Sequence, residues 1–94
     1  MTAQNETEIL LDVAILGEQV DQFIKSDVGR YLLEQANAEV TEGYKLLKEV
    51  NCNNPEAVML AQNMVWRGEE MRSWLEQAVM AGLRARLILE DREE

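Results

Sequence analysis

Residues 54–90 read NPEAVMLAQNMVWRGEEMRSWLEQAVMAGLRARLILE, and this stretch decides the fold. Asn54 is a favourable N-cap, and Pro55 suits the first helical position, where its missing N–H costs nothing. Glu56 places a negative charge in the first turn, where it complements the helix dipole. A seam then advances by alternating steps of four and three: Ala57, Ala61, Met64, Gly68, Met71, Leu75, Ala78, Gly82, Ala85 and Leu89. Every member is apolar or Gly. A seam held over more than four heptads predicts one helix, about 55–90, packed lengthwise on another helix.

Working backwards, Asn51-Cys52-Asn53-Asn54-Pro55 is a loop. Pro55 disfavours helical geometry at Asn54, and Asn tolerates turn conformations. A helix over 27–50 precedes it, with Ser26 as N-cap and Asp27 in the first turn. Its expected stripe is Val28, Leu32, Ala36, Val40, Gly43, Leu47 and Val50, flanked by Tyr31, Tyr44 and Leu46. Two long helices joined by so short a loop should lie antiparallel. Gly43 and Ala36 on one, with Gly68, Ala61 and Ala78 on the other, would let the backbones approach closely. A kink at Gly68 or Gly82 is the competing reason for those glycines.

The lengths are unequal, roughly 36 Å against roughly 54 Å at 1.5 Å per residue. Val28 should lie near Val79, so the longer helix overhangs from about Met80. The overhang carries Leu83, Leu87, Ile88 and Leu89 among Arg84, Arg86 and Arg92. Either the N-terminal segment or a second subunit should cover those leucines. Residues 6–25 supply apolar side chains on more than one face, from Ile9 to Leu16 and then Val20, Phe23 and Ile24. They form one bent helix or two short ones, with Thr7 as a cap; Gly17 either stops the first or lies within a continuous helix at a cost of about 1 kcal/mol relative to Ala. Met1–Asn5 and the acidic run Glu90–Glu94 are expected to fray. The expected fold is all-α: a long antiparallel helical hairpin with an N-terminal helical segment packed on it, three-helix bundle-like, over a single domain 1–94.

The composition excludes several functions. The chain of 94 residues has no His, so the usual general base and the commonest transition-metal ligand are missing. The carboxylates are adjacent or on solvent faces, as at Glu69-Glu70. The glycines are isolated, and no phosphate loop or calcium loop is spaced correctly. One Cys, Cys52, allows no internal disulfide and has only Lys48 nearby to lower its pKa. No catalytic, cofactor or metal site is expected, and the chain reads as a non-enzyme. The absence of a long apolar run excludes a membrane span, and the polar N-terminus is not a secretory signal. The net charge of −9 opposes direct nucleic-acid binding. Solubility alone accounts for that charge; a basic protein partner is the sharper alternative.

Two features point to partners. Trp66 and Trp74 fall off the seam, with Arg67 and Arg72 close by; they either cover the hairpin's flank or pack on the N-terminal segment, or they anchor a partner, since Trp and Arg are enriched in binding hot spots. Leu83, Leu87 and Ile88 on the overhang are the second candidate surface, with a homodimer as the expected state.

The segment Ser26-Asp27-Val28-Gly29-Arg30-Tyr31-Leu32 resembles small helical proteins encoded by tailed bacteriophages and prophages. So do Gln62-Asn63 with Trp66-Arg67, and Trp74-Leu75-Glu76-Gln77-Ala78 with Gly82. The likeness covers about residues 20–90 and carries no functional residues over. It implies a phage setting, in the host cytoplasm or the virion. The expectation is therefore a phage assembly factor or adaptor acting through helix faces. The alternative is an acidic, DNA-mimic-like antagonist of a host DNA-binding or defence protein.

Overall fold

The computed structural model describes residues 3–93, all in helices apart from two short connections: α1 (Ala3–Lys25), α2 (Asp27–Glu49) and α3 (Pro55–Glu93). The fold is all-α and three-helix bundle-like, with α3 packing against both α1 and α2. None of the described helices is long and apolar enough to cross a membrane. Met1, Thr2 and Glu94 lie outside the described residues, so the fraying expected of them has no structural counterpart here.

Local chemistry sets the boundaries. The Asn54 side chain caps α3, its Oδ1 accepting from the Ala57 N–H at 3.2 Å. Before it, the Asn53 N–H donates to Asn51 Oδ1 at 2.9 Å, and the Asn54 N–H to the Asn51 carbonyl at 2.9 Å. These are the short-range bonds that make Asn a turn residue. Between α1 and α2 there is only Ser26. Its N–H and its hydroxyl both donate to the Phe23 carbonyl, closing α1.

Two boundaries differ from expectation. α1 begins at Ala3 rather than near residue 6, which puts Thr7 inside the helix instead of at its cap. It also runs through Gly17 without a break. α3 reaches Glu93, so Arg92 in its last turn meets the first turns of α1: Arg92 Nη2 lies 3.6 Å from Glu6 Oε2, and Arg92 Nη1 donates to Thr7 Oγ1 at 3.4 Å. Each end thus has a partner that the sequence pattern alone did not place.

The helices sort into two compact units. One joins α2 to α3 as far as Ser73. Its core is small: Ala36, Ala61 and Val65 are buried, with Gly29, Gly43 and Gly68. A Cβ on Gly68 would lie 2.5 Å from the Ala36 carbonyl oxygen, and one on Gly43 would lie 3.0 Å from that of Ala61. Close packing therefore accounts for these glycines. The predicted α3 seam holds throughout, since none of its ten members is exposed. The α2 stripe needs correction at its start. Val28 and Leu32 are exposed, at 63% and 36%, while Gly29 is buried and Leu33 half-buried. The true stripe is Gly29, Leu33, Ala36, Val40, Gly43, Leu47 and Val50, a strict alternation of four and three. A step of four turns the side chain about 40° past the starting line, and successive steps of four leave the interface.

The other unit joins α1 to α3 from Trp74 onward. Here Gly17 and Gly82 meet backbone to backbone: a Cβ on Gly17 would sit 2.7 Å from the Gly82 Cα. Ala85 is buried, and Leu10, Val13, Val20 and Ile24 are half-buried along α1. α1 thus covers the Leu75–Leu89 seam of the overhang within the same chain.

Candidate interaction surfaces

The described residues contain no group of three or more metal-ligating side chains, and Cys52 is exposed in its loop. The chemistry that stands out is instead apolar surface. Among the described residues, Ala36, Ala61, Val65 and Ala85 are the buried hydrophobic ones, and no large side chain is fully buried. Among the described residues, sixteen large apolar or aromatic side chains are exposed.

In the α2–α3 unit, Trp66 is 60% exposed, so it does not cover the hairpin's flank. Met59, seven residues earlier and on the same side of α3, is exposed to the same degree. Arg67 and Arg72 are engaged within the unit. Arg67 Nη2 lies 2.6 Å from Glu39 Oε1, and Arg72 Nη1 donates to Asn37 Oδ1 at 3.2 Å. Arg67 with Glu39 holds α3 to α2 along one edge. Along the other, with Arg72 and Asn37, the Tyr44 hydroxyl donates to Glu69 Oε1 at 2.8 Å. That hydrogen bond, and then the Glu69 charge, raise the Tyr44 pKa above its ordinary value.

In the α1–α3 unit, Trp74 is likewise exposed, at 61%. Leu83, Leu87 and Ile88 remain 47%, 63% and 44% exposed although α1 packs beside them. A groove runs between the two helices. In one part Ala14 and Glu18 face Val79 and Leu83; in the next, Leu11 and Ile15 face Leu89 and Arg92. The ion pair between Arg86 Nη2 and Glu18 Oε2 spans it at 3.4 Å. The candidate residues therefore divide between the units: Trp66, Arg67 and Arg72 in one, Trp74, Leu83, Leu87 and Ile88 in the other.

Sequence reasoning missed Leu11 and Ile15 as surface residues. The signal was present, because α1 is apolar on more than one side, but such a short helix is normally buried between neighbours. It also missed Met80, which is 50% exposed and forms, with Leu83 and Leu87, a second seam of three-and-four spacing beside the first.

No protein-family model, curated protein or solved structure matches the chain significantly.

Proposed function

We propose that this chain is a non-enzymatic interaction protein, an assembly factor or adaptor that works through its helix faces. The observation that carries the reading is the exposure of Trp66 at 60%, beside an equally exposed Met59, on a helix whose seam is already occupied by α2. A Trp held on a rigid helix is a costly surface residue and a strong anchor for a protein partner. The absence of His from the sequence supports a role without catalysis. The resemblance to small phage proteins supplies the setting, a bacterial host cytoplasm or a virion, and self-association as a homodimer belongs to the same reading.

The alternative, an acidic antagonist of a DNA-binding or defence protein, draws on the net charge of −9. A phosphate mimic wants an unbroken negative track, and Arg67, Arg86 and Arg92 interrupt it by pairing with Glu39, Glu18 and Glu6. The interaction reading is therefore preferred.

The test is retention of proteins from a bacterial lysate by the full chain and by Trp66→Gln, with circular dichroism confirming equal helix content. A partner retained by the wild type should be lost by about tenfold or more in the variant. Equal retention of every protein by both would sink the proposal.

A further inference from the structure

We infer that the notch at the loop end of the α2–α3 hairpin, between Leu46 and Val50 on one side and Ala57 and Leu60 on the other, takes an apolar side chain of a partner protein, and that a Lys or Arg beside that side chain reaches Glu49 and Glu56. The inference rests on the reading of the chain as an interaction protein, and states the chemistry of the partner at a surface away from Trp66.

The pairing of α2 with α3 fixes the place. Gly43 meets Ala61 and Gly68 meets Ala36, so the two helices run antiparallel. Arg67 lies on Glu39 along one edge. Seven residues along each helix from that ion pair, Leu46 comes level with Leu60 on the same edge. Three residues further, Glu49 comes level with Ala57, and Glu56 adjoins Ala57 one turn before Leu60. Leu46, Glu49, Val50, Ala57 and Leu60 line a notch of about 220 Å³. Small-molecule pockets begin at about 300 Å³, so this one suits a single side chain better than a free metabolite. Its floor is apolar and open: Leu46, Val50 and Ala57 are half-buried, and Leu60 is 59% exposed.

Charge selects the occupant. Glu49 stands on the α2 rim of the notch and Glu56 on the α3 rim, both exposed, with Glu42 one heptad before Glu49. Among the described residues none of the three is in an ion pair, although Lys45 lies one turn before Glu49. Arg67, the base along this edge, is already held by Glu39. An apolar floor between unpaired carboxylates fits an apolar side chain flanked by a base. The aliphatic stem of that base lies on the leucines while its charged head reaches the carboxylates. A second copy is a poor occupant, because it brings a net charge of −9 to an acidic rim. Nucleic acid and anionic lipid are repelled in the same way.

The probes are labelled amphipathic peptides of about fifteen residues. One carries leucines along one face with lysines beside them; the second has glutamates in place of the lysines, and the third serines in place of the leucines. Fluorescence anisotropy with the full chain at about 20 mM salt should show binding of the first, and binding of the other two weaker by about tenfold or more. Glu49→Gln and Glu56→Gln should each weaken the first by roughly two- to fivefold, and together by about tenfold. Leu60→Ser should weaken it by about tenfold or more. Glu76→Gln, the same charge change in the other unit, should leave it within about twofold, as should Trp66→Gln. All these side chains are exposed, so the fold tolerates the changes, and circular dichroism checks it. No binding of the leucine–lysine peptide overturns the inference. So does a loss from Glu49→Gln and Glu56→Gln no greater than from Glu76→Gln, which would be general attraction to an acidic chain. Self-association that Leu60→Ser abolishes also overturns it, since a second copy would then cover the notch. Such a failure is separable from failure of the Trp66 reading, because retention of a lysate protein that depends on Trp66 would persist.

Discussion

At the scale of single residues, the glycines of this chain are where packing overrules propensity. A Gly inside a helix costs about 1 kcal/mol relative to Ala, so replacing one ordinarily stabilises. Gly17 and Gly82 are different, because what an added Cβ would strike is backbone, which cannot rotate away. At Gly17 the methyl would lie 2.7 Å from the Gly82 Cα and 2.8 Å from the Ala78 carbonyl oxygen; at Gly82 it would lie 2.8 Å from the Gly17 Cα. The helices would have to separate along their whole contact. Gly17→Ala and Gly82→Ala are each expected to lower stability by roughly 1–3 kcal/mol net of the propensity gain, measured by urea denaturation with helicity as the signal. A stabilised Gly17→Ala would mean that the two backbones do not meet there. The sequence already held part of this answer. Gly68, Gly82 and Gly43 sat on predicted stripes, so close packing could be anticipated for them. Gly17 could not be placed, since its partner is 65 residues away in the chain and a Gly near the end of an apolar run reads equally well as a stop.

At the scale of elements, α3 was legible from its cap to Leu89, whereas the first two turns of α2 were not. The α3 cap, Pro and seam agree with one another, and the seam alternates its steps from Ala57 to Leu89 without exception. In α2 two stripes compete over the first two turns. Val28 and Leu32 are more apolar than Gly29 and Leu33 as a set, so a hydrophobicity argument selects them. Geometry selects the others, because Gly29 and Leu33 continue the four-and-three alternation of the buried side while Val28 and Leu32 fall off it. The consequence is measurable. Leu33→Ala removes a half-buried side chain and should cost about 1–2 kcal/mol, whereas Leu32→Ala, at 36% exposure, should cost less than about 1 kcal/mol. Equal losses, or a larger loss at Leu32, would restore the stripe read from hydrophobicity. The candidate surfaces were legible in the same uneven way. Trp66, Trp74, Leu83, Leu87 and Ile88 stood off the seam in sequence and are exposed. Arg67 and Arg72 also stood off it, yet their partners Glu39 and Asn37 lie on α2, and no local pattern couples residues that far apart.

At the scale of the whole molecule, the proposed dimer has to form against charge. Each copy carries −9. Taking a mean separation of order 30 Å, two such charges repel by about 11 kcal/mol in unscreened water. A Debye length of roughly 20 Å, near 20 mM salt, cuts this to about 3 kcal/mol, and at 0.3 M almost nothing remains. Repulsion therefore dominates the salt response. Raising sodium chloride from about 20 to 300 mM should tighten self-association by about a hundredfold, read as the dissociation constant from sedimentation equilibrium. An acidic antagonist bound to a basic protein would respond in the reverse direction, because salt removes its attraction. The sign of the salt effect thus separates contact through apolar helix faces from contact through charge. A self-association that weakened steeply with salt would place its driving force in ion pairs, and the exposed apolar side chains of Leu83, Leu87 and Ile88 would no longer account for it.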